Sequence, residues 1–129
     1  MDLDMKVLVV DNSTSMRRAT RGVLRQIGFK NIIGTDDGSK ALEELRKEKA
    51  GLIVSDWDMP KMNGLELLKA VRSDEDLKDI PFIMITAEVG KENVLEAINA
   101  GVSGYITKPF TLDTVSKRVK KIFKPEGTI

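Results

Sequence analysis

Four short apolar runs punctuate the chain: Val7-Leu8-Val9-Val10, Leu52-Ile53-Val54, Phe82-Ile83-Met84-Ile85 and the weaker Tyr105-Ile106. None alternates with polar residues, which is the pattern of strands covered on both faces, as in a parallel sheet. Asn31-Ile32-Ile33-Gly34-Thr35 is a fifth candidate. Between these runs apolar residues recur at helical spacing: Met16, Ala19, Val23 and Ile27; Ala41, Leu42 and Leu45; Leu65, Leu68 and Val71; Val94, Leu95 and Ile98; Leu112, Val115, Val119 and Ile122. Turn signals stand where the alternation needs them, with Gly28 after the first helix, Pro60 and Gly64 before the third, Pro81 before the fourth strand and Gly101 after the fourth helix. The pattern predicts an α/β fold, a (βα)5 chain with right-handed crossovers and a doubly wound parallel five-stranded sheet.

At this length the expectation is one domain, residues 1–129, with no output domain after it. Twenty-one Lys and Arg stand against twenty Asp and Glu, and a net charge of +1 provides no global field toward nucleic acid or an anionic membrane. The last helix carries Lys117, Arg118, Lys120, Lys121 and Lys124 opposite its apolar stripe, but no aromatic residues interleave with them, so the face reads as solvated. The charge-dense stretch from Arg72 to Asp79 reads as a solvated connection without chemistry. There is no Cys and no His, which removes disulfides, thiolate chemistry and every imidazole-based arrangement. The run Val7 to Val10 is too short for a signal-peptide core, and no segment approaches the ~20 apolar residues of a membrane span, so the expectation is a soluble cytoplasmic protein.

In an open parallel sheet, ligands bind beyond the carboxyl ends of the strands, so the residues just after each apolar run matter most. The first run ends in Asp11-Asn12, the third in Asp56 with Asp58 close behind, the fourth in Thr86 and the fifth in Lys108. Oxygen donors at Asp11, Asn12 and Asp56 suit a hard divalent cation, and Mg2+ prefers a few carboxylates with retained waters. A cation and an ammonium flanking a carboxylate suit phosphoryl transfer, because they neutralise charge on the equatorial oxygens while the carboxylate attacks in line.

The segments Val9-Val10-Asp11, SDWDMPKMNGLELLK around Asp56, TAE from Thr86, KEN, SGY and KPF from Lys108 together resemble the response-regulator receiver domain, over about Lys6 to Phe123. Within that family the chain is similar to stand-alone chemotaxis regulators. The resemblance implies strand order 2-1-3-4-5, and it implies that Asp56 accepts a phosphoryl group from a histidine of a partner kinase. It further implies a Mg2+ site formed by Asp11, Asn12, Asp56 and the backbone carbonyl of Asp58, with Lys108 pairing with Asp56 or its phosphate. Lys108-Pro109 is expected to be cis on the same ground. Thr86 is implied to bond a phosphoryl oxygen and to form a switch with Tyr105, which turns inward as Thr86 moves. An output surface on the fourth helix, fifth strand and fifth helix is implied to include Val89, Val94, Tyr105, Thr107 and Arg118. The implied partners are a histidine kinase, the flagellar motor switch or another protein target, and a phosphatase, with the chain itself a monomer and not an enzyme. Trp57 reads as a reporter beside the site, and Met59 and Met62 as packing residues.

Two positions stand out. Receiver domains usually carry two acids where this chain has Asp11-Asn12, so a neutral ligand predicts weakened Mg2+ binding. Asp58 places a further acid two residues after Asp56, where it is expected to alter the lifetime of an aspartyl phosphate. Other readings of the chain are a phosphate relay outside chemotaxis and a pseudo-receiver that signals without phosphorylation, against which Asp56, Thr86 and Lys108 argue. An aspartate-nucleophile phosphohydrolase shares the order Asp56, Thr86, Lys108, but it wants an acidic pair after the Lys, and only isolated Asp113 and Glu126 follow.

Overall fold

The computed structural model describes residues 2–123; Lys124 and Glu126 lie outside that range. Ten elements alternate along the chain: β1 (Lys6–Val10), α1 (Thr14–Ile27), β2 (Asn31–Thr35), α2 (Gly38–Lys47), β3 (Leu52–Ser55), α3 (Gly64–Ser73), β4 (Phe82–Thr86), α4 (Lys91–Asn99), β5 (Gly104–Thr107) and α5 (Leu112–Phe123). All strand pairs are parallel, in the order β2-β1-β3-β4-β5. Every predicted strand and helix is present, and each contains the apolar residues that predicted it.

The unbroken apolar runs have a direct cause. Successive side chains of a strand point to opposite faces, and both faces are covered. Leu8, Val10 and Ile53 enter a core with Leu42, Leu45, Leu68, Val71 and Ala97, from α2, α3 and α4. Val7, Val9, Leu52 and Val54 enter a second core with Leu24, Val115 and Val119, from α1 and α5. Helix ends follow local chemistry. Ser13 accepts the Met16 N–H at the start of α1, Asp37 accepts that of Lys40, and Asn63 and Glu66 exchange bonds in a capping box on α3. Gly28 ends α1 at φ 125°, a conformation open to glycine, with its N–H donating to Arg25 and Leu24 carbonyls.

Two expectations change. The stretch from Arg72 to Asp79 is not merely a solvated connection: Leu77 is buried, and so is the adjoining Ile80. The Arg72 guanidinium donates to the carbonyls of Ile80 (2.7 Å), Lys78 (2.9 Å) and Gly101 (3.0 Å), tying the end of α3 to the turn after α4. Burial pulls the pKa of Arg72 down, since all three partners are neutral. Arg72→Ala is expected to cost about 3 kcal/mol, because bonds from a charged donor contribute roughly 1.5–3 kcal/mol each and the losses overlap. A urea unfolding midpoint within error of the parent would show the clamp to be idle.

The second change concerns α4. Leu95 and Ile98 are predicted on its inner stripe, yet they are 48% and 56% exposed, while Ala97 is the residue that meets the core; Leu112 of α5 and Ala19 of α1, also predicted inward, are exposed as well. The nine-residue α4 buries only Ala97, leaving Val94 half-buried and Leu95 and Ile98 facing outward.

Candidate functional site

β1 and β3 are neighbours in register, Val10 opposite Ser55, so the next residues on each, Asp11 and Asp56, emerge side by side at the carboxyl edge. The Asp11 N–H donates to the Thr35 carbonyl (3.1 Å) and that of Asp56 to the Val10 carbonyl (2.9 Å), extending the ladder and fixing both backbones. Both residues are nearly buried. Lys108 arrives from the end of β5, its N–H bonded to the Thr86 carbonyl (2.9 Å). Its ammonium lies 3.2 Å from Asp11 Oδ2 and 3.3 Å from Asp56 Oδ2. One cation thus bridges two carboxylates, leaving a single net negative charge among these three groups. The Lys108–Pro109 peptide is cis.

The free oxygens are positioned too. Asp11 Oδ1 accepts the Ser13 N–H (2.9 Å), Asp56 Oδ1 accepts the Trp57 N–H (2.8 Å), and Arg17 donates to the Asp11 carbonyl (2.6 Å). Neither aspartate is free to rotate without losing a bond. The oxygens that the resemblance assigns to a cation at this edge are the Asp11 and Asp56 carboxylates, the Asp58 carbonyl and the amide of Asn12, a set that suits Mg2+. Asn12 is exposed. No group of three His, Cys, Asp or Glu side chains arranged to hold a metal occurs among the described residues.

On the far side, Thr86 is fully buried and its hydroxyl accepts the Glu88 N–H (3.2 Å). The Tyr105 hydroxyl donates to the Glu88 carbonyl (2.6 Å), so both residues of the expected switch meet at one loop residue that sequence reasoning missed. Burial, with Glu88, Asp58 and Asp56 nearby, raises the pKa of Tyr105. Glu88 also reaches Asp58, and the hydrogen bond and charge of that carboxyl raise the pKa of Glu88. The consequence for stability has a definite sign. A Glu pKa raised by folding favours the folded state at low pH, and that contribution is lost as pH rises through the Glu88 titration. In the absence of divalent cations, Asp58→Asn is therefore expected to bring the Glu88 pKa back toward the ordinary range and to raise stability at neutral pH but not in acid. A carboxyl-carbon NMR titration of Glu88 that is unchanged by the substitution would remove the coupling.

Of the expected output residues, Val89 is 67% exposed and Thr107 is exposed, whereas Val94 and Tyr105 are half-buried. Arg118 lies across β5, where a Cβ on Gly104 would come within 2.8 Å of its Cδ. Trp57 is buried, and Met59 and Met62 pack against the core. The outward Leu95 and Ile98 adjoin this surface and were not among the expected residues.

The model of the family described as "Response regulator receiver domain" matches residues 7–120. The chain is 47% identical to chemotaxis protein CheY-3 of Vibrio cholerae over 124 residues, covering 96% of this chain and 95% of that one. It is 45% identical to chemotaxis protein CheY of Pseudomonas aeruginosa, covering 93% of this chain and 97% of the relative. Among solved structures, the chemotaxis response regulator CheY4 of Vibrio cholerae superposes with a TM-score of 0.85 at 34% identity, over 93% of this chain and 99% of that one. Two carboxylates bridged by a lysine at the carboxyl edge of a 2-1-3-4-5 sheet are thus found in a chain that belongs to the response-regulator receiver family, and specifically among its CheY-like members.

Proposed function

We propose that this chain is a single-domain chemotaxis response regulator that accepts a phosphoryl group on Asp56 and passes the signal on by protein contact. The observation that carries the reading is the Lys108 ammonium held 3.2 and 3.3 Å from two nearly buried carboxylates. The similarity of 45–47% to chemotaxis proteins over nearly the whole chain supports the pathway.

In the step itself, Asp56 Oδ2 attacks the phosphorus of a phosphohistidine on the kinase. The P–N bond breaks, and the imidazole leaves with the electron pair and takes up a proton. This chain has no His of its own, so the donor is external. Oδ1 stays anchored on the Trp57 N–H, which aims Oδ2. Lys108 neutralises charge on the transferred group. Mg2+, held by Asp11, Asp56, the Asp58 carbonyl and Asn12, would neutralise further charge on the phosphoryl oxygens.

The switch follows from what Thr86 gives up. Its hydroxyl turns from the Glu88 N–H toward a phosphoryl oxygen, and the loop carrying Glu88 re-forms around Tyr105. That alters the surface containing Val89, Val94, Tyr105, Thr107 and Arg118, which offers a flagellar-switch protein or similar target an apolar contact at Leu95 and Ile98. On this reading the chain acts in the cytoplasm as a monomer, with a phosphatase among its partners. No helix among the described residues is long and apolar enough to cross a membrane.

The test is incubation with Mg2+ and a small phosphodonor, followed by intact and fragment mass measurement. The expected product carries one phosphoryl group, located on Asp56 and absent when the cation is chelated. No mass gain in the folded protein at saturating Mg2+ would overturn the proposal. A related expectation concerns Asn12. An added charge at about 4 Å from a divalent ion in high dielectric is worth about 2 kcal/mol, so Asn12→Asp should tighten Mg2+ binding roughly ten- to thirtyfold. Titration of Trp57 fluorescence measures this, and an unchanged affinity would show that position 12 does not reach the ion.

A further inference from the structure

Charge is unevenly divided over this nearly neutral chain. Helix α1 carries four arginines and no acid, so it holds +4 in a protein whose total is +1. At 100° per residue Arg17, Arg18, Arg21 and Arg25 fall within an arc of about 100° and span about 12 Å along the axis. None of the four guanidiniums forms an ion pair with a described residue; the nearby Asp36 is engaged by Lys40 at 2.9 Å.

The stripe lines two adjoining grooves. One, of about 490 Å³, lies along α1 between Thr14 and Arg25, floored by Gly22. The other, of about 270 Å³, runs from Arg17 onto the edge strand β2 at Gly34 and Thr35. A second observation points to the same place. Among the described residues, two buried side-chain polar atoms lack a protein partner, Arg21 Nε and Thr35 Oγ1, and they sit one at each groove. Buried polar atoms are rarely left without a partner, which makes this pair informative.

We propose that the arginine stripe of α1, with the adjoining edge of β2, docks a carboxylate-rich segment of a partner protein. Guanidinium forks match carboxylates in paired hydrogen bonds. The span fits a few acidic side chains of one short segment. A membrane surface is disfavoured because three of the large exposed apolar residues, Val89, Leu95 and Ile98, belong to α4 and the loop before it, and α4 packs on the opposite core from α1. Nucleic acid is disfavoured because no aromatic residue stands in the stripe to stack on bases, and because the rest of the chain sums to −3.

Placement gives the site its use. β2 and β5 are the two opposite edges of the sheet, about 19 Å apart across four inter-strand spacings. The groove at Gly34 and Thr35 lies at the edge opposite β5, while α1 itself packs against α5. A partner confined to the β2 side of the stripe therefore leaves β5 open, and this regulator can be held by one protein while its output face meets another. The inference does not depend on phosphorylation.

The experiment is an NMR titration of the labelled full chain with a capped oligoglutamate peptide at low and high salt. Shifts are expected in the Arg Nε–H signals of the stripe and in the Gly34 amide, with β5 unmoved and affinity falling as salt rises. Arg18 and Arg25 are exposed, so R18Q/R25Q should fold normally. It should bind the peptide about tenfold more weakly, since each exposed pair contributes up to about 1 kcal/mol. R18K/R25K is expected between the two. The proposal is overturned if R18Q/R25Q binds like the parent or if the peptide moves the lysines of α5 as much as the stripe. It is equally overturned if a single-stranded oligonucleotide or phosphatidylglycerol vesicles bind more tightly than the peptide at the same salt.

Discussion

Lys108→Gln should slow phosphorylation of Asp56 by roughly 10²–10³-fold at saturating Mg2+, the range expected when one donor to a developing anion is removed. The same substitution should tighten Mg2+ binding. Both effects come from one ammonium, 3.2 Å from Asp11 Oδ2 and 3.3 Å from Asp56 Oδ2. On the proposed function it repels an incoming divalent ion in the resting site and neutralises, during transfer, the group that Asp56 takes on. A charge that merely held the site together would give slower reaction and weaker metal binding in parallel. Stability supplies a third readout. Without Lys108, two carboxylates with side chains only 5% and 10% exposed face each other uncompensated, and breaking a buried pair costs about 3 kcal/mol or more. Mg2+ should restore that loss in the variant and add less to the parent. Tight metal binding with an unimpaired rate would assign Lys108 to folding alone.

The strands were legible because of their packing. Val7 to Val10, Leu52 to Val54 and Phe82 to Ile85 are buried on both faces, so no polar residue interrupts them, and three such runs with the weaker β2 and β5, separated by helical periods, leave few architectures open. The order of the strands is a different matter. Alternation of β and α allows more than one winding, and 2-1-3-4-5 followed from the family resemblance. Asp11, Asp56 and Lys108 were readable since each is the first charged residue after an apolar run. Arg72 was not, because its partners are carbonyls, which every residue carries, and because surrounding charges mask the buried Leu77 and Ile80. Glu88 was hidden for a similar reason: Tyr105 bonds to its backbone. For α4 the periodicity itself misled, since its larger apolar residues face the surface where the proposed target binds.

Glycine shows how far local rules reach, for Gly22→Ala and Gly64→Ala are expected to move stability in opposite directions. Both residues are helical, and alanine is favoured over glycine in a helix by about 1 kcal/mol. At Gly22 in α1 an added Cβ meets nothing within 4 Å, so the propensity acts unopposed and a gain of about 0.5–1 kcal/mol is expected. At Gly64 the same methyl would collide with the Asp56 carbonyl oxygen and lie 2.9 Å from the Trp57 Cα. These are backbone atoms that cannot swing aside. The start of α3 is pinned there by the Gly64 N–H, which donates to the Trp57 carbonyl at 2.8 Å. Relief requires moving α3 outward or displacing the end of β3, and overpacking of this kind costs about 3 kcal/mol. The displaced residue would be Asp56 itself, whose Oδ1 depends on the Trp57 N–H for its direction. A shift near 1 Å at a reacting group lowers rates by about a hundredfold. Gly64→Ala should therefore lose phosphorylation in molecules that remain folded, at temperatures well below the melting transition, while Gly22→Ala keeps it. If the two variants instead shift the urea midpoint in the same direction, or Gly64→Ala phosphorylates normally, the close approach of α3 to the carboxyl end of β3 does not set the geometry of the acceptor.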